Sequence, residues 1–405
     1  MLASERMAAA VAVGGVVSEV SRIVEEIQRS IWRRWLRVLG LEDTPVETAH
    51  RLHLAGTHRA IRGTVQVAAF ATGAVLAATT RPEAEPMADK RGGAITQTAI
   101  ASFYASQLTP RLAPLAPTMS VRVAGRAVEL TPARVGEAFP QATDRIAIFL
   151  HGLMATERSW GADTGFGARL RADHNFTPVH VRFNAGIHIA DNGHLFAELM
   201  EQLLDSWPVS VSRVILVGHS MGGLIMRSAC ELAGELGHAW TQHVESCFYL
   251  GAPNHGAALE RGVAVAAEAL ERRQNRHARN LARLLNQRSH GIKDLRHGSI
   301  LECEYDDSDP HRRELFDHRD IPLRPGMAHH FVAATLLPAA AAGRASEFIG
   351  DGMVSPISAT GSHPSGNRAP LVGAQRHYLP GLPHARLPTD ERVYEVIDNV
   401  VSQAR

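Results

Sequence analysis

Residues 214–223 of this chain read Val-Ile-Leu-Val-Gly-His-Ser-Met-Gly-Gly. Four apolar β-formers lead into a serine between two glycines, and an apolar helical pattern starts at Leu224. This strand, tight turn and helix around G-x-S-x-G is the context of a nucleophile elbow. Such a turn is sharp and strained, so small residues are required two positions before and after the serine. We therefore predict Ser220 to be a nucleophile at the end of a central strand.

Short apolar runs recur on both sides of this elbow and alternate with helical stretches. The runs are residues 146–150, 179–183, 214–217, 244–250 and 330–336. Apolar runs of this length between helices predict a mostly parallel sheet that is buried on both faces. The predicted fold class is α/β, with a central sheet flanked by helices. Alternating residues on either side of Ala124-Gly125 add a β-hairpin before the sheet.

The apolar run at 146–150 continues into His151-Gly152-Leu153. A glycine directly after a strand lets another backbone approach closely. We expect the N–H groups of Leu153 and Met221 to form an oxyanion hole, in which each donor is worth about 3–4 kcal/mol.

The acid and the base should follow the nucleophile in the order acid, then histidine. Asp351 lies between Gly350 and Gly352 in a predicted loop, where it would hold an imidazole in the correct tautomer. His384 lies in the last loop before the final helix, which we predict at 391–401, and it is the expected base. His377, at the end of a predicted strand, is the alternative base.

The sequence predicts three regions. Residues 1–115 form an N-terminal helical region, and residues 116–405 form the catalytic domain. An arginine-rich helical insertion at 256–300 would cover the strand ends as a cap or lid. Residues 17–40 combine an apolar helical stripe with several arginines, which fits either a membrane-surface helix or an ordinary docked helix. The apolar run at 64–79 is shorter than the about 20 residues of a membrane-spanning helix, so we expect it to be packed against protein.

Composition narrows the class of protein. The chain has 405 residues, of which 45% are hydrophobic, and a net charge of +1. A charge this close to neutral argues against nucleic acid as a partner. The three cysteines show no C-x-x-C spacing and no disulfide framework, and no H-E-x-x-H motif suggests a metal. Without a convincing signal peptide we expect a cytoplasmic protein, with membrane association left open.

At these residues the chain resembles bacterial α/β-hydrolases of the lipase and esterase type. The resemblance covers roughly residues 140–403 and rests on the motifs at 151–153, 218–223, 250–256 and 350–354, together with His384. It implies the α/β-hydrolase fold and hydrolysis of a small-molecule or lipid ester through an acyl-enzyme, without a cofactor. In the relatives, the segment at 250–256 reads Leu-Gly-Thr-Pro-His-x-Gly, so Ala252 and Asn254 are departures.

Three histidines near these motifs, His151, His219 and His255, are candidates for contact with the substrate. For His255, lining of the acyl pocket and shaping of the turn stay equally open. Two other functions also stay open: acyl transfer to an acceptor other than water, and a non-catalytic, membrane-associated binding protein on a hydrolase scaffold.

Overall fold

The apolar runs of the sequence form strands of one eight-stranded sheet in the computed structural model. The structure describes residues 1–12, 14, 18, 21, 25, 44–80, 84–104, 113–257, 289–304, 321–338, 350–362 and 370–403. Two compact units make up the chain. The smaller contains Met1–Lys90 and Gln107–Ala116, and the larger contains Arg91–Ser106, Pro117–Val265 and Gln287–Arg405.

The sheet belongs to the larger unit, and its strand order is β2-β1-β4-β3-β5-β6-β7-β8. The strands are β1 Ser120–Val123, β2 Arg126–Ala127, β3 Arg145–Leu150, β4 Thr177–Arg182, β5 Arg213–His219, β6 Val244–Leu250, β7 Ala328–Thr335 and β8 Gln375–Pro380. Strands β3 to β8 all pair in parallel with their neighbours among them, and β1 pairs antiparallel with both β2 and β4. The predicted fold class, a mostly parallel sheet flanked by helices, is confirmed.

Helices connect the strands and cover both faces of the sheet. In chain order the α-helices are α1 at residues 3–12, α2 Pro45–Ala78, α3 Arg91–Tyr104, α4 Pro132–Ala138, α5 Phe166–His174, α6 Ile189–Asp205, α7 Met221–Glu235, α8 His290–Asp294, α9 Pro356–Thr360 and α10 Glu391–Gln403. The final helix begins where the sequence predicts and runs two residues further.

Side chains alternate between two apolar layers because successive residues of a strand face opposite sides of the sheet. Ile146 and Ile148 of β3 pack into the layer formed with α6 and α7. Ala147 and Phe149, between and after them, pack into the opposite layer with α5 and α10. All four are fully buried. A sheet covered on both faces explains why these runs are apolar throughout.

The predicted hairpin is present, with a shorter second strand than the pattern indicates. Arg122 pairs with Ala127, and Val123 pairs with Arg126. The turn residues Ala124 and Gly125 both have positive φ values, 49° and 83°. Such a two-residue turn matches the twist of the strands it joins.

Strand order reverses around β3, which lies between β4 and β5. In open α/β sheets a crevice forms at such a switch point, outside the carboxyl ends of the strands. His151-Gly152-Leu153 follows β3, and Ser220 follows β5, so the chain passes the crevice twice with candidate site residues.

The smaller unit contains α1 and the long helix α2. The apolar run at 64–79 is helical, as expected, but the expectation that it packs against protein is wrong for most of its surface. Val67 and Phe70 are 71% and 50% exposed. Apart from Ser18, Ser21 and Glu25, residues 17–40 lie outside the described residues, so both readings of that segment stay predictions.

The predicted cap at 256–300 falls largely outside the described residues, which resume at Ser289. In the described part, Asp294 ends the short helix α8 and accepts a hydrogen bond from the backbone of Ile189 at the start of α6 (2.8 Å). The cap itself stays a prediction.

The contact between α6 and α7 gives a stability prediction. A Cβ on Gly193 of α6 would lie 2.1 Å from Oγ of Ser228, which is buried on α7 and bonded to the carbonyl of Ile300 (2.6 Å). Overpacking of this kind costs about 1–3 kcal/mol, so Gly193→Ala should lower the free energy of unfolding by that amount in urea titrations.

Gly136 is the matched control, because it lies inside helix α4 and a Cβ there meets nothing within 4 Å. Gly136→Ala should leave stability unchanged or raise it by up to about 1 kcal/mol. Equal effects of the two substitutions would contradict the tight α6–α7 contact.

Candidate active site

Ser220 occupies a strained turn between β5 and α7. Its φ and ψ are 55° and −122°, a conformation that costs a non-glycine residue about 1–3 kcal/mol. Two backbone hydrogen bonds hold it: the N–H of Ser220 donates to the carbonyl of Leu250 (2.9 Å), and the N–H of Gly223 donates to the carbonyl of Ser220 (3.0 Å). The structure thus places the serine as an elbow, directly before the first turn of α7.

The glycines of the motif are required by space. A Cβ on Gly218 would lie 2.7 Å from the Cα of Gly223, on the other side of the turn. A Cβ on Gly222 would lie 2.4 Å from the carbonyl oxygen of His151. Strand β5, helix α7 and the end of β3 therefore approach one another closely enough to exclude any side chain at these two positions.

The predicted oxyanion loop lies against the elbow. A Cβ on Gly152 would be 3.2 Å from the Cβ of Ser220. The N–H groups of Leu153 and Met221 form no hydrogen bond with the described residues. Met221 is the first residue of α7, where N–H groups lack a partner within the helix and the helix dipole is positive. Met221 directly follows the serine and Leu153 directly follows Gly152, and their role as oxyanion donors stays a prediction.

Asp351 is held in a loop that follows β7. Its Oδ1 accepts hydrogen bonds from the backbone N–H of Met353 (3.0 Å) and of Val354 (2.8 Å). The carbonyl of Gly350 accepts from the N–H of Leu336, just after β7 (2.7 Å). Gly350 itself has a φ of 55°. These bonds fix one carboxylate oxygen and leave the other free to face a partner.

That partner is His384. Its Nδ1 lies 2.6 Å from Oδ2 of Asp351, and both side chains are buried. The backbone adds a second link, because the N–H of His384 donates to the carbonyl of Asp351 (3.0 Å). A buried carboxylate on Nδ1 fixes the tautomer that leaves Nε2 free to accept a proton.

The imidazole of His384 lies beside the end of β6, the strand that pairs with β5, which carries the serine turn. Ser220 is bonded to Leu250, and a Cβ on the next residue, Gly251, would lie 3.1 Å from the His384 ring. No hydrogen bond joins the Ser220 and His384 side chains in the described structure. Catalytic hydrogen bonds often tighten only when substrate binds.

His219, just before the serine, connects the two sides of the site. Its Nε2 lies 3.1 Å from the carbonyl oxygen of His384 and donates to it, and the two rings are 4.8 Å apart. Its Nδ1 faces Gly152, whose Cβ position would be 2.8 Å away. Burial, with a further contribution from the nearby His384, lowers the pKa of His219 well below its ordinary value. The neutral ring thus lies between the loop that carries His384 and the loop that carries Gly152.

His151 supports the oxyanion loop from inside. Its Nδ1 donates to the carbonyl of Gly152 (2.8 Å), and its Nε2 accepts from the N–H of Phe183 (3.4 Å). The ring stacks on Phe183 with centroids 4.2 Å apart. Complete burial lowers the pKa of His151 to about 4, so the ring is neutral at pH 7.

A buried ion pair lies next along this loop. Arg182, at the end of β4, donates two hydrogen bonds to Glu157, at 2.7 and 2.6 Å. Burial alone raises the pKa of Glu157, but the hydrogen bonds and charge of Arg182 outweigh burial, and the pKa is lowered overall. A bidentate pair with both charges satisfied fixes where the loop leaves the sheet.

His255 lies in a tightly bonded turn. Its N–H donates to Oγ of Ser358 (3.2 Å), which donates to the carbonyl of Gly256 (2.7 Å). Asn254, one of the two departures from the relatives, donates to the carbonyl of Ala359 (3.1 Å). No described contact joins His255 to the serine, the acid or the base. Contact of His151, His219 and His255 with substrate stays a prediction.

The alternative base, His377, lies on β8 and away from Asp351. Its Nε2 is 3.4 Å from Nδ1 of His330 on β7. His329, next to His330, faces the other side of the sheet, where its Nδ1 is 3.0 Å from the Tyr249 hydroxyl. Among the described residues, no group of three or more His, Cys, Asp or Glu side chains could hold a metal ion.

Sequence reasoning missed the residues that support the site. The Glu157–Arg182 pair has no motif, and its partners lie on different elements. The role of Gly251 beside His384 could have been found, because Gly251 belongs to the same stretch at 250–256 that carries the family resemblance. Its φ of 60° favours glycine, and a Cβ there would lie only 2.7 Å from Cδ1 of Leu387.

The sheet order, the strained serine turn after β5 and the acid–histidine order define the α/β-hydrolase fold. Within the chain, residues 180–312 match the family described as the PGAP1-like alpha/beta domain. No curated protein matches the sequence significantly.

Solved structures similar to this chain include a protein named as a lipase, one named as a carboxylesterase and one named as an esterase. The mature lipase BlEst2 of Bacillus licheniformis is 18% identical, with 64% of this chain and 91% of that chain covered and a TM-score of 0.41. The carboxylesterase CesB of Bacillus subtilis is 14% identical, with 65% and 83% covered and a TM-score of 0.32. An esterase of Pyrobaculum calidifontis is 10% identical, with 80% and 94% covered and a TM-score of 0.36.

The two candidate bases give an opposed prediction. His384→Gln should slow covalent labelling of Ser220 by a fluorophosphonate by about 10²–10⁴-fold, the usual contribution of a general base. His377→Gln should change the labelling rate less than about threefold, since its ring is bonded to His330 and not to Asp351. Rates follow from mass spectrometry of the labelled peptide. The reverse ranking would make His377 the base.

His151 gives a pH prediction. Because its pKa is lower in the folded chain than in the unfolded chain, the unfolded chain binds more protons at this ring below pH 6.5. The contribution of the neutral ring to the free energy of unfolding is therefore complete above about pH 6.5, and it is lost as the pH falls towards about 4.

His151→Asn keeps an amide donor for Gly152 and removes this titration. Between pH 7.5 and pH 5, the free energy of unfolding of the wild type should fall by about 2 kcal/mol more than that of the variant. Urea titrations at the two pH values measure the difference. Parallel losses would show that His151 does not titrate with folding.

Proposed function

We propose that this protein is a serine hydrolase that cleaves carboxylic esters, with Ser220 as nucleophile, Asp351 as acid and His384 as base. The observation that carries the proposal is the 2.6 Å bond between buried Asp351 and His384, beside a serine in a strained turn. Three stretches that are distant in sequence supply these groups at one edge of the sheet. In the proposed function, the strained turn serves to present the Ser220 hydroxyl at the carboxyl end of β5.

The reaction follows from these positions. His384 Nε2 takes the proton of Ser220 as Oγ attacks the ester carbonyl, and Asp351 stabilises the imidazolium that forms. The N–H groups of Leu153 and Met221 bind the oxyanion. Collapse breaks the bond to the alcohol, which leaves with the proton from His384. Water then attacks the acyl-enzyme and gives a proton to His384. The bond between the acyl group and Ser220 Oγ breaks, His384 returns the proton to Oγ, and the carboxylic acid is released.

Lipophilic esters are the proposed substrates, and no cofactor takes part in the steps above. The direct test is turnover of p-nitrophenyl esters of increasing acyl chain length. Ser220→Ala should lower kcat at least about 10⁴-fold, because it removes the nucleophile and leaves only binding and the oxyanion donors. Ser210→Ala is the control, since Ser210 is exposed and precedes β5, at the end of that strand opposite Ser220.

Two results would count against the proposal. Undiminished ester turnover by Ser220→Ala would exclude Ser220 as nucleophile. Failure of a fluorophosphonate to label Ser220 in the folded wild type would favour a binding protein on this scaffold. Product analysis with a competing alcohol separates hydrolysis from acyl transfer, because an acyltransferase would yield the new ester in preference to the free acid.

A further inference from the structure

Helix α2 has two halves of different chemistry. Residues 45–62 contain Glu47, Arg51, Arg59 and Arg62, whereas residues 63–80 contain no charged side chain. The next charged residue in the sequence is Arg81. At 1.5 Å per residue, the helical part of this stretch, residues 63–78, is about 24 Å long, and the uncharged Thr79 and Thr80 extend it towards the about 30 Å of a bilayer's hydrocarbon core. Among the described residues, Leu54–Ala78 is long and apolar enough to cross a membrane.

The apolar surface of this helix is exposed around most of its circumference. Phe70, Val67, Val75 and Leu76 are all exposed, at 50%, 71%, 63% and 41%. At 100° per residue they span an arc of about 240°. The apolar stripe by which a helix docks on a protein is much narrower, about 100° wide. A lipid phase, which surrounds a helix, fits this distribution better than a protein partner on one side.

Helix α1 occupies the remaining side, and small residues let the two helices approach. A Cβ on Gly73 would lie 2.8 Å from Sδ of Met7 and 3.1 Å from the Cβ of Ala10. A Cβ on Gly14 would lie 2.6 Å from the Cβ of Ala69. Helices within membranes associate through close contacts of this kind between glycine and alanine, because lipid leaves no hydrophobic driving force between the helices.

Polar contacts lie near both ends of the uncharged stretch. At one end Arg62 donates to Glu25 (2.7 Å). At the other end Arg6 donates to the carbonyl of Leu76 (3.3 Å), and Glu5 accepts from the N–H of Met87 (2.8 Å). Charged groups at both ends of an apolar segment are placed to meet the headgroup layers.

We propose that residues 63–78, the uncharged part of α2, insert into the acyl-chain region of a phospholipid bilayer, with α1 packed along one side. The protein is then an integral component of a membrane. This inference does not depend on the proposed catalysis.

The test uses the full chain, purified in dodecyl maltoside and reconstituted with phosphatidylcholine and phosphatidylglycerol vesicles. The wild type should float with the vesicles in a density gradient after an alkaline carbonate wash. A triple variant, Val67→Glu, Phe70→Glu and Val75→Glu, should float at least roughly tenfold less, because each carboxylate in hydrocarbon is costly. Circular dichroism checks that the variant has kept its helices.

The matched control adds the same charge to exposed apolar residues of the larger unit: Val209→Glu, Leu236→Glu and Val372→Glu. It should float like the wild type. A wild type that stays at the bottom of the gradient overturns the proposal, and so does equal flotation of the α2 variant. If light scattering shows a wild-type dimer that the α2 substitutions dissociate, without flotation of either, the face binds a second copy and the proposal is wrong.

Discussion

The close approach of three backbone segments at the end of β5 is the constraint on which the site depends. Gly218 and Gly222 leave no room for a side chain between β5, α7 and the end of β3. This contact forces Ser220 into an unfavourable conformation, and the bond to Leu250 helps to hold it there. Two buried apolar layers keep the sheet rigid around the turn. The hydroxyl is therefore positioned before any ligand arrives.

The supporting histidines are neutral because they are buried, and this neutrality determines what they do. Burial disfavours the charged ring at His151 and at His219, and at His151 it outweighs the nearby Glu157 carboxylate. As neutral rings, both link backbone segments through hydrogen bonds. His151 joins Gly152, in the loop after β3, to Phe183, and His219 joins the serine turn to the carbonyl of His384. The shape of the site is thus maintained by groups that need not touch the substrate.

Local sequence patterns predict the parts of this protein that depend on local chemistry. The strands follow from apolar runs, the elbow from small residues around Ser220, and the pairing of Asp351 with His384 from their order along the chain. The pattern cannot reveal contacts between distant residues, such as Glu157 with Arg182. The pattern also gives the wrong expectation that residues 64–79 pack against protein. A buried apolar helix and a helix with an exposed apolar surface have similar composition. Only the exposure of Val67 and Phe70 separates the two.

The Glu157–Arg182 pair has a consequence for the redesign of the loop that follows β3. Removing either residue alone takes away two hydrogen bonds and the nearest opposite charge of the other, and breaking a buried ion pair in this way typically costs about 3–5 kcal/mol. Replacing both together with apolar residues of similar volume is often neutral. Grafting a different loop after β3 therefore calls for a coordinated exchange on β4, and libraries that randomise one position at a time will lose most of their members to misfolding.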